Sequence, residues 1–397
     1  MKNSINSVTS ERKNTFFLMW QRELSIIRKM PSLFALVFVY PIVMMLIVFA
    51  IFNKANITQL PIAFVDQDQS AISRQLIQKI SAVSEIAVTV KYSDLAEAKT
   101  ALKSTKVYAV VLIPPYFEEK MLANQQPEIT TFYNNQFMTI GSTLNRAIYT
   151  GLSAFIGSIQ LEKVMNNSVP LPLATAQLKP VEVELHPLFN PTLSFIDTLV
   201  NGLYPTIMQI IIMFAIAAST QKEKSMQLSQ GVSAFAINHP FRFLINKYFI
   251  YFIWFFISLL IFDLIMTSYF QVPIAGNVFL LLLGDVLFIL AAMCISLAFS
   301  LLIKDKLTNY SVIGIICSPA FGYTGLIFPR IAMNTFAYMW GGLLPITWYV
   351  QIRLDQTLRG LPSIETLKPI GFLLLLIIIP LCLIRLKIKK SHSQGVA

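Results

Sequence analysis

Long runs of apolar residues alternate with shorter polar segments along the chain. Six of these runs are long enough for helices that cross about 30 Å of hydrocarbon, which takes roughly 20 residues. They cover residues 34–53, 195–218, 248–269, 277–303, 308–328 and 368–384. The pattern therefore predicts a polytopic α-helical membrane protein with six transmembrane helices.

The segment between the first and second runs has a different pattern, because short apolar stretches alternate with amphipathic ones. Strands that alternate with helices favour βαβ units and a small parallel or mixed sheet. A longer helical stretch then leads back towards the second run. We predict an α/β domain with strands at 62–66, 87–92, 108–114 and 128–134, and helices at 70–83, 94–104, 115–124 and 138–167.

Two further segments have mixed patterns. Residues 16–31 combine bulky apolar side chains with charged ones, which suits a helix lying in the membrane interface. A simple extension of the first transmembrane helix is the alternative. Residues 328–350 are apolar but interrupted by proline and glycine, so we expect a short re-entrant or interfacial hairpin here, with a plain interfacial loop as the alternative.

Composition agrees with membrane insertion, since 55% of the residues are hydrophobic and only 13% are charged. The net charge of +11 does not indicate nucleic-acid binding, because the excess is divided among short segments beside the apolar runs. Basic residues concentrate in cytoplasmic loops of membrane proteins. Residues 1–31, 219–247 and 385–397 are basic, whereas the turn 271–277 has no Lys or Arg. Both termini are therefore expected in the cytoplasm of a bacterial cell, with the chain in the cytoplasmic (inner) membrane.

This orientation gives a complete expected organisation. A cytoplasmic N-terminus with its interfacial helix leads into the first transmembrane helix and then into an extracytoplasmic α/β domain. Five more helices follow, with a cytoplasmic coupling loop and an outer broken hairpin, and the tail is cytoplasmic. The expected boundaries are 1–33, 34–53, 54–194, 195–384 (loop 219–247, hairpin 329–367) and 385–397.

Motifs of enzyme and metal chemistry are absent from the sequence. No glycine is followed by lysine, so a phosphate-binding P-loop cannot occur. Neither a G-x-S-x-G nor an H-E-x-x-H pattern is present. The cysteines, Cys294, Cys317 and Cys382, lie in apolar runs without metal-binding spacing. We predict no catalytic residue and no metal site in this chain.

Carboxylates inside the apolar runs are the candidate functional residues. Burying a carboxylate in a membrane is costly unless it is paired or hydrated, so such residues are candidates for function. Asp263 and Asp285 lie within predicted helices and are candidates for the substrate path, with a hydrogen-bonded structural role as the alternative. Asp197 lies near a helix end and is expected in the interface. Asp68 precedes a predicted helix and is expected to be a cap.

Five stretches, in this order, resemble the type-2 ATP-binding-cassette (ABC) exporter permeases that have a large extracytoplasmic domain after the first transmembrane helix. They are "RKMPSLFALVFVYP" (28–41), "IAFVDQDQSAISRQL" (62–76), "KEKSMQLSQ" (222–230), "NKYF" (246–249) and "LLPITWYVQIRLDQTLRG" (343–360). The third departs from the family pattern. Ser225 and Met226 stand where the family has Gly-Thr, and Gln221 stands where it has a first Glu.

The resemblance implies the membrane permease subunit of an ATP-driven exporter that moves a hydrophobic or amphipathic substrate out of the cytoplasm or inner leaflet. ATP and magnesium would bind to a separate ATP-binding subunit, and no cofactor would bind to this chain. The permease would form a homodimer, or a heterodimer with a related permease, surrounded by membrane lipids, and a periplasmic adaptor is a further candidate partner. The implied ATPase-coupling residues are Lys222, Glu223, Lys224, Ser225, Met226, Gln227 and Leu228.

Two other classes of protein remain open at this point. In the first, the chain is a membrane-anchored sensor or assembly protein whose external α/β domain binds a ligand. Six transmembrane helices and a basic cytoplasmic loop exceed what an anchor needs. The second is a secondary transporter, but the inverted repeats and paired broken helices of that class are not visible. The sequence does not identify the substrate.

Overall fold

A computed structural model describes residues 17–53, 58–123, 125, 127–134, 138–166, 190, 194–230 and 239–393. The chain divides into two compact units, which we call the helical unit (Met1–Ala55 with Phe195–Ala397) and the α/β unit (Asn56–Ser194). In chain order the described helices and strands are α1 (17–29), α2 (Pro31–Phe52), β1 (Leu60–Asp66), α3 (Ala71–Ser81), β2 (Ile86–Tyr92), α4 (Leu95–Lys103), β3 (Ala109–Ile113), α5 (Phe117–Leu122), β4 (Thr130–Tyr133), α6 (Met138–Asn166), α7 (Asn201–Gln230), α8 (Pro240–Ser268), α9 (Val278–Leu302), α10 (Lys306–Cys317), α11 (Ala320–Tyr323), α12 (Thr335–Gly342), α13 (Pro345–Leu354) and α14 (Ser363–Ser393).

The α/β unit is built on a mixed sheet, as predicted. Within its described residues the strand order is β2-β1-β3-β4, and β1 pairs in parallel with both β2 and β3. β4 is antiparallel to β3. Side chains of a strand point alternately to opposite faces. Ile62 and Phe64 accordingly pack in the same core as α3 and α6, whereas Ala63 and Val65 pack in the core that includes α4.

The long helix α6 covers one of these faces at unusually close range. Leu144, Ile148 and Phe155 are buried in the core that it shares with β1 and α3. At Gly151 a Cβ atom would lie only 2.7 Å from Cα of Ile80 in α3. The absence of a side chain at this position therefore allows the two helices to pack backbone to backbone.

The polar turn after β1 is held by side-chain hydrogen bonds. Ser70, at the N-cap of α3, accepts a hydrogen bond from the backbone N–H of Ser73 (3.0 Å). Asp68 is a cap, as expected, but of a helix other than the one that follows it. Its carboxylate accepts from the backbone N–H groups of Phe117 (2.9 Å) and Glu118 (3.1 Å), the first residues of α5. Asp68 therefore joins two parts of the α/β unit that are about fifty residues apart in sequence.

The described part of the helical unit contains five helices long and apolar enough to cross a membrane: Pro31–Phe52, Ile196–Met226, Pro240–Ser268, Val278–Leu302 and Ser363–Lys389. These match five of the six predicted transmembrane helices. The helix predicted at 308–328 is wrong as a continuous one. α10 ends at Cys317, and Pro319 precedes the short α11. Proline removes a backbone donor and interrupts a helix, and the 12 residues of α10 span only roughly 18 Å.

The predicted loop 219–247 is also mostly helical. α7 continues to Gln230, and α8 already begins at Pro240, so only 231–239 separates the two helices. Residues 219–230 contain neither glycine nor proline, and many of them favour helices, which explains why α7 does not stop at the end of its apolar stretch. Pro240 at the first helical position has a backbone angle that suits a helix start.

Residues 328–360 form short helices instead of a plain loop. α13 is almost entirely buried, and a π-helical turn, Asp355–Arg359, extends it. Gly360 ends this turn with φ +60°, a left-handed conformation that costs glycine little. Gln356 fixes the turn 271–277, because its side-chain oxygen accepts from the backbone N–H of Asn277 (2.7 Å) and its carbonyl accepts from Gly276 (2.8 Å). The π-helical turn is thereby tied to the start of α9.

Candidate functional site

The predicted coupling residues, 222–228, lie on the last turns of α7. The side chains of Gln227 and Leu228 lie outside the described part of the chain. Ser225 is exposed, whereas Lys222 and Lys224 are partly buried. Glu223 is 8% exposed. Within the coupling stretch, Ser225 therefore faces outward, whereas the carboxylate of Glu223 faces the helical unit.

Glu223 takes part in a group of charges that we call the Glu23 cluster: Arg22, Glu23, Glu223, Lys247 and the hydroxyl of Tyr251. Nζ of Lys247 lies 2.8 Å from each carboxylate oxygen of Glu23 and 3.3 Å from Oε2 of Glu223. Arg22 donates to both oxygens of Glu223, at 2.9 and 3.1 Å. The carboxylate of this implied coupling residue is thus already bound within its own chain, by residues from other helices.

Three helices supply the Glu23 cluster, and helical spacing aligns the contributors. Lys247 and Tyr251 are four residues apart on α8, as are Ser219 and Glu223 on α7, so each pair shares one face. Glu23 of α1 accepts hydrogen bonds from Tyr251 (2.8 Å) and Ser219 (3.0 Å). The two negative carboxylates are neutralised by the two positive side chains. Such pairing offsets the desolvation free energy of buried charges. The cluster therefore fixes α1, α7 and α8 to one another.

A second contact ties α7 to α9. Nζ of Lys224 donates to the backbone carbonyl oxygens of Ser300 and of Ile303 (3.1 Å), at the carboxyl end of α9. Carbonyl groups at a helix end have no partner within the helix and carry partial negative charge, so a lysine there is favourable. The end of α7 is consequently attached to α1, α8 and α9 by side chains of adjacent residues, Glu223 and Lys224.

The two substrate-path candidates are brought together in what we call the Arg353 cluster: Arg353, Asp263, Asp285, Tyr349 and Asn201. Arg353 is 1% exposed, and its Nη1 lies 2.6 Å from Oδ1 of Asp263 and 3.9 Å from Oδ1 of Asp285. The hydroxyl of Tyr349 donates to Asp285 and accepts from Nη1 of Arg353 (2.9 Å). Nε and Nη2 of Arg353 donate to Oδ1 of Asn201, at 3.1 and 2.9 Å.

The Arg353 cluster joins α7, α8, α9 and α13. Asp285 is completely buried and is held by Tyr349 and Arg353, a geometry that favours the structural alternative for this residue. The side chain of Asp263 is 12% exposed, but both of its carboxylate oxygens are buried. The third membrane carboxylate, Asp197, lies in the π-helical turn before α7, away from the middle of the helix.

Sequence reasoning did not assign the partners of these carboxylates. Arg353 and Tyr349 stood in the stretch that resembles the ABC exporter permeases, four residues apart in a buried segment. An arginine in such an apolar stretch was the available signal for a buried carboxylate partner. Nothing local indicated Asn201, Glu23 or Lys247.

The described residues contain no group of three or more His, Cys, Asp and Glu side chains that could hold a metal ion. The long apolar helices define a multi-pass membrane protein. A family model described as ABC-2 family transporter protein matches residues 31–386. That range covers most of the chain, so the chain belongs to this family, which consists of membrane permease subunits of ABC transporters. No curated protein matches the chain.

Proposed function

We propose that this chain is the permease subunit of an ATP-driven exporter, which moves a hydrophobic or amphipathic substrate out of the cytoplasm or the inner leaflet. The observation that carries the proposal, together with the family, is the continuous helix α7. It runs from an apolar stretch of membrane-spanning length into the polar residues 222–230. A force applied at this polar end would act directly on a long membrane helix.

A separate ATP-binding subunit is the proposed source of that force. The chain has no P-loop of its own, because no glycine in it precedes a lysine. ATP and magnesium would therefore bind to the partner. Ser225, which is exposed on α7, would contact the ATPase, while Glu223 and Lys224 would pass the displacement to α1, α8 and α9. In this proposal Glu223 acts inside the permease and does not itself touch the ATPase.

The proposed orientation follows from the distribution of charge. The basic segments 1–31, 219–247 and 385–397 would face the cytoplasm. The α/β unit would then lie outside, at the surface of a bacterial inner membrane. Residues 54–190 contain equal numbers of basic and acidic residues, so this unit carries no excess of the positive charge typical of cytoplasmic segments.

Two copies, or one copy with a related permease, would enclose the substrate path. Asp263 is the proposed polar point of that path, since its side chain is 12% exposed although its carboxylate oxygens are buried. Arg353, which contacts both Asp263 and Asp285, would fix the position of Asp263. The substrate itself would be recognised mainly by apolar contact, which suits the long aliphatic and aromatic side chains of the membrane helices.

Transport by the reconstituted complex tests the proposal. The complex is purified with its ATPase and placed in liposomes, and compounds are screened for stimulation of ATP hydrolysis. A stimulating compound should then accumulate inside those vesicles whose ATPase faces outward, and only with ATP and magnesium. Uptake without nucleotide that follows an ion gradient would indicate a secondary transporter. Ligand binding without any transport would indicate a sensor.

A further inference from the structure

A cavity of about 830 Å³ lies on one side of the helical unit, between α8, α9 and α14. Its size is within the range of cavities that hold small ligands. Leu244 of α8, Leu297 of α9 and Leu381 of α14 are among the residues that line it. The lining residues of these three helices lie mainly in the first half of α8 and in the second halves of α9 and α14. The cavity is therefore confined to one half of the membrane thickness.

The cavity opens towards the outside of the helix bundle. Ile245 and Ile378 at its edge are 64% and 52% exposed. Its lining is almost wholly aliphatic and aromatic. An apolar cavity in a membrane helix bundle is not stabilised by water, which needs several polar partners. Hydrocarbon is therefore the chemically matched occupant.

Positive charge stands at one end of this apolar surface. Arg385 lines the cavity and is exposed, and Lys389 lies four residues further along the same face of α14. Arg242, on the first turn of α8, is also exposed. Long apolar lining followed by exposed cations matches a molecule with a long hydrocarbon chain and an anionic head. Basic pockets of this kind between membrane helices bind anionic lipid headgroups.

We infer that this cavity is a binding site for an anionic phospholipid, with an acyl chain against α8, α9 and α14 and the phosphate at Arg385. The lipid would come from the leaflet beside the basic helix ends. It would fill the gap between α8 and the other two helices, and thus support the helix that carries Lys247 of the Glu23 cluster. The inference concerns binding alone and does not depend on ATP or on transport.

Lipid binding can be followed through native cysteines, because Cys294 and Cys382 both line the cavity. Cys382 is exposed, whereas Cys317 is buried elsewhere. In the full-length chain with Cys294→Ser and Cys317→Ser, the rate at which N-ethylmaleimide labels Cys382 in neutral detergent reports access to the cavity. Dioleoyl phosphatidylglycerol should slow the labelling at concentrations about five-fold lower than dioleoyl phosphatidylcholine, the effect expected of one basic residue near an anionic headgroup.

Matched variants separate the headgroup contact from general effects of charge. Arg385→Gln should abolish the preference for phosphatidylglycerol while phosphatidylcholine still slows labelling. Lys368→Gln removes an exposed cation from the other end of α14, about 25 Å away, and should leave the preference unchanged. Equal protection by both lipids in the parent chain, or a preference that survives Arg385→Gln, would overturn the inference. Protection that rises with protein concentration in the absence of lipid would assign the surface to a second copy instead.

Discussion

Glu23 and Lys247 form a bidentate ion pair across 224 residues of sequence, with both carboxylate oxygens 2.8 Å from the ammonium nitrogen. Their side chains are 1% and 2% exposed. Glu23 belongs to the short helix before the first transmembrane helix, and Lys247 belongs to α8. This pair is the centre of the cluster through which the end of α7 is connected to the rest of the helical unit.

Breaking this pair should be strongly destabilising. Among the described residues, Lys247→Met leaves the buried Glu23 with Tyr251 and Ser219 as its hydrogen-bond partners. Removing one partner of a buried ion pair costs about 3–5 kcal/mol, because the other charge remains uncompensated. We expect a clearly lower Tm of the full-length chain in detergent. Arg146→Gln is the control, because both members of its pair with Glu85 are partly exposed, at 37% and 24%, so the pair should contribute less than about 1 kcal/mol. Equal Tm values for the two variants would show that the Glu23–Lys247 ion pair does not make the expected large contribution to stability.

The structure separates two effects of substitutions near the end of α7. Glu223→Lys places a third cation beside Arg22 and Lys247, so it should lower the Tm and also disturb coupling. Ser225→Trp changes an exposed residue outside the Glu23 cluster. It should leave the Tm unchanged but reduce the amount of ATPase that co-purifies. If Ser225→Trp retains its ATPase and Glu223→Lys exports normally, this part of α7 is not the coupling element.

Arg353→Lys should fail as a conservative replacement. Nη1 of the guanidinium contacts both Asp263 and the Tyr349 hydroxyl, while Nε and Nη2 donate to Asn201. A lysine ammonium is a single point that cannot reproduce this planar arrangement. We expect a loss of roughly 3 kcal/mol or more of stability, as for other broken buried ion pairs. Thermal unfolding of Arg353→Met, Asp263→Asn and the double variant measures the interaction free energy between Arg353 and Asp263. Additive effects of the two substitutions would show that the side chains act independently.

Asp68 should make the α/β unit sensitive to acid. Burial acts to raise the pKa of its carboxyl, but hydrogen bonds from Ser70 and the backbone of Glu118 and Phe117 outweigh it and lower the pKa below the ordinary value. A lowered folded-state pKa means that the stabilisation is present above the unfolded-state pKa. It is lost as the pH falls through the folded-state pKa.

The experiment is hydrogen exchange at the first turn of α5 in the full-length chain. Asp68→Ala should speed exchange at Phe117 and Glu118 at neutral pH by an amount equivalent to about 1 kcal/mol, the usual value of a lost helix cap. The difference from the parent chain should shrink at acid pH, once the parent carboxyl is protonated. A difference that is independent of pH would mean that the charge of Asp68 contributes nothing.

Local patterns were sufficient for most of the fold. Strand alternation and amphipathic spacing predicted β1 to β4 and the helices between them, because these elements are specified by neighbouring residues. The same reasoning failed at 308–328, where mean hydropathy is high but Pro319 interrupts the helix. It also failed at 219–230, because polar residues without helix breakers can continue a membrane helix beyond the hydrocarbon.

The sequence identified some residues of the candidate site but not their partners. Asp263 and Asp285 could be selected because a carboxylate in an apolar helix is rare. Their common partner could not be assigned, since α13 folds back among helices from distant parts of the chain. Glu223 showed the same limit, because a glutamate in a polar stretch of sequence is expected to be exposed until the positions of Arg22 and Lys247 are known.

We propose that this permease works through an ATPase bound at the end of α7. The most direct measurement is ATP hydrolysis by the complex captured on the full-length chain from native membranes, before and after the co-purified subunit is removed. We predict magnesium-dependent hydrolysis that leaves with the subunit, returns when it is added back, and is not recovered with Ser225→Trp. Hydrolysis by the permease alone, or capture of the chain without any ATP-binding subunit, would contradict the account.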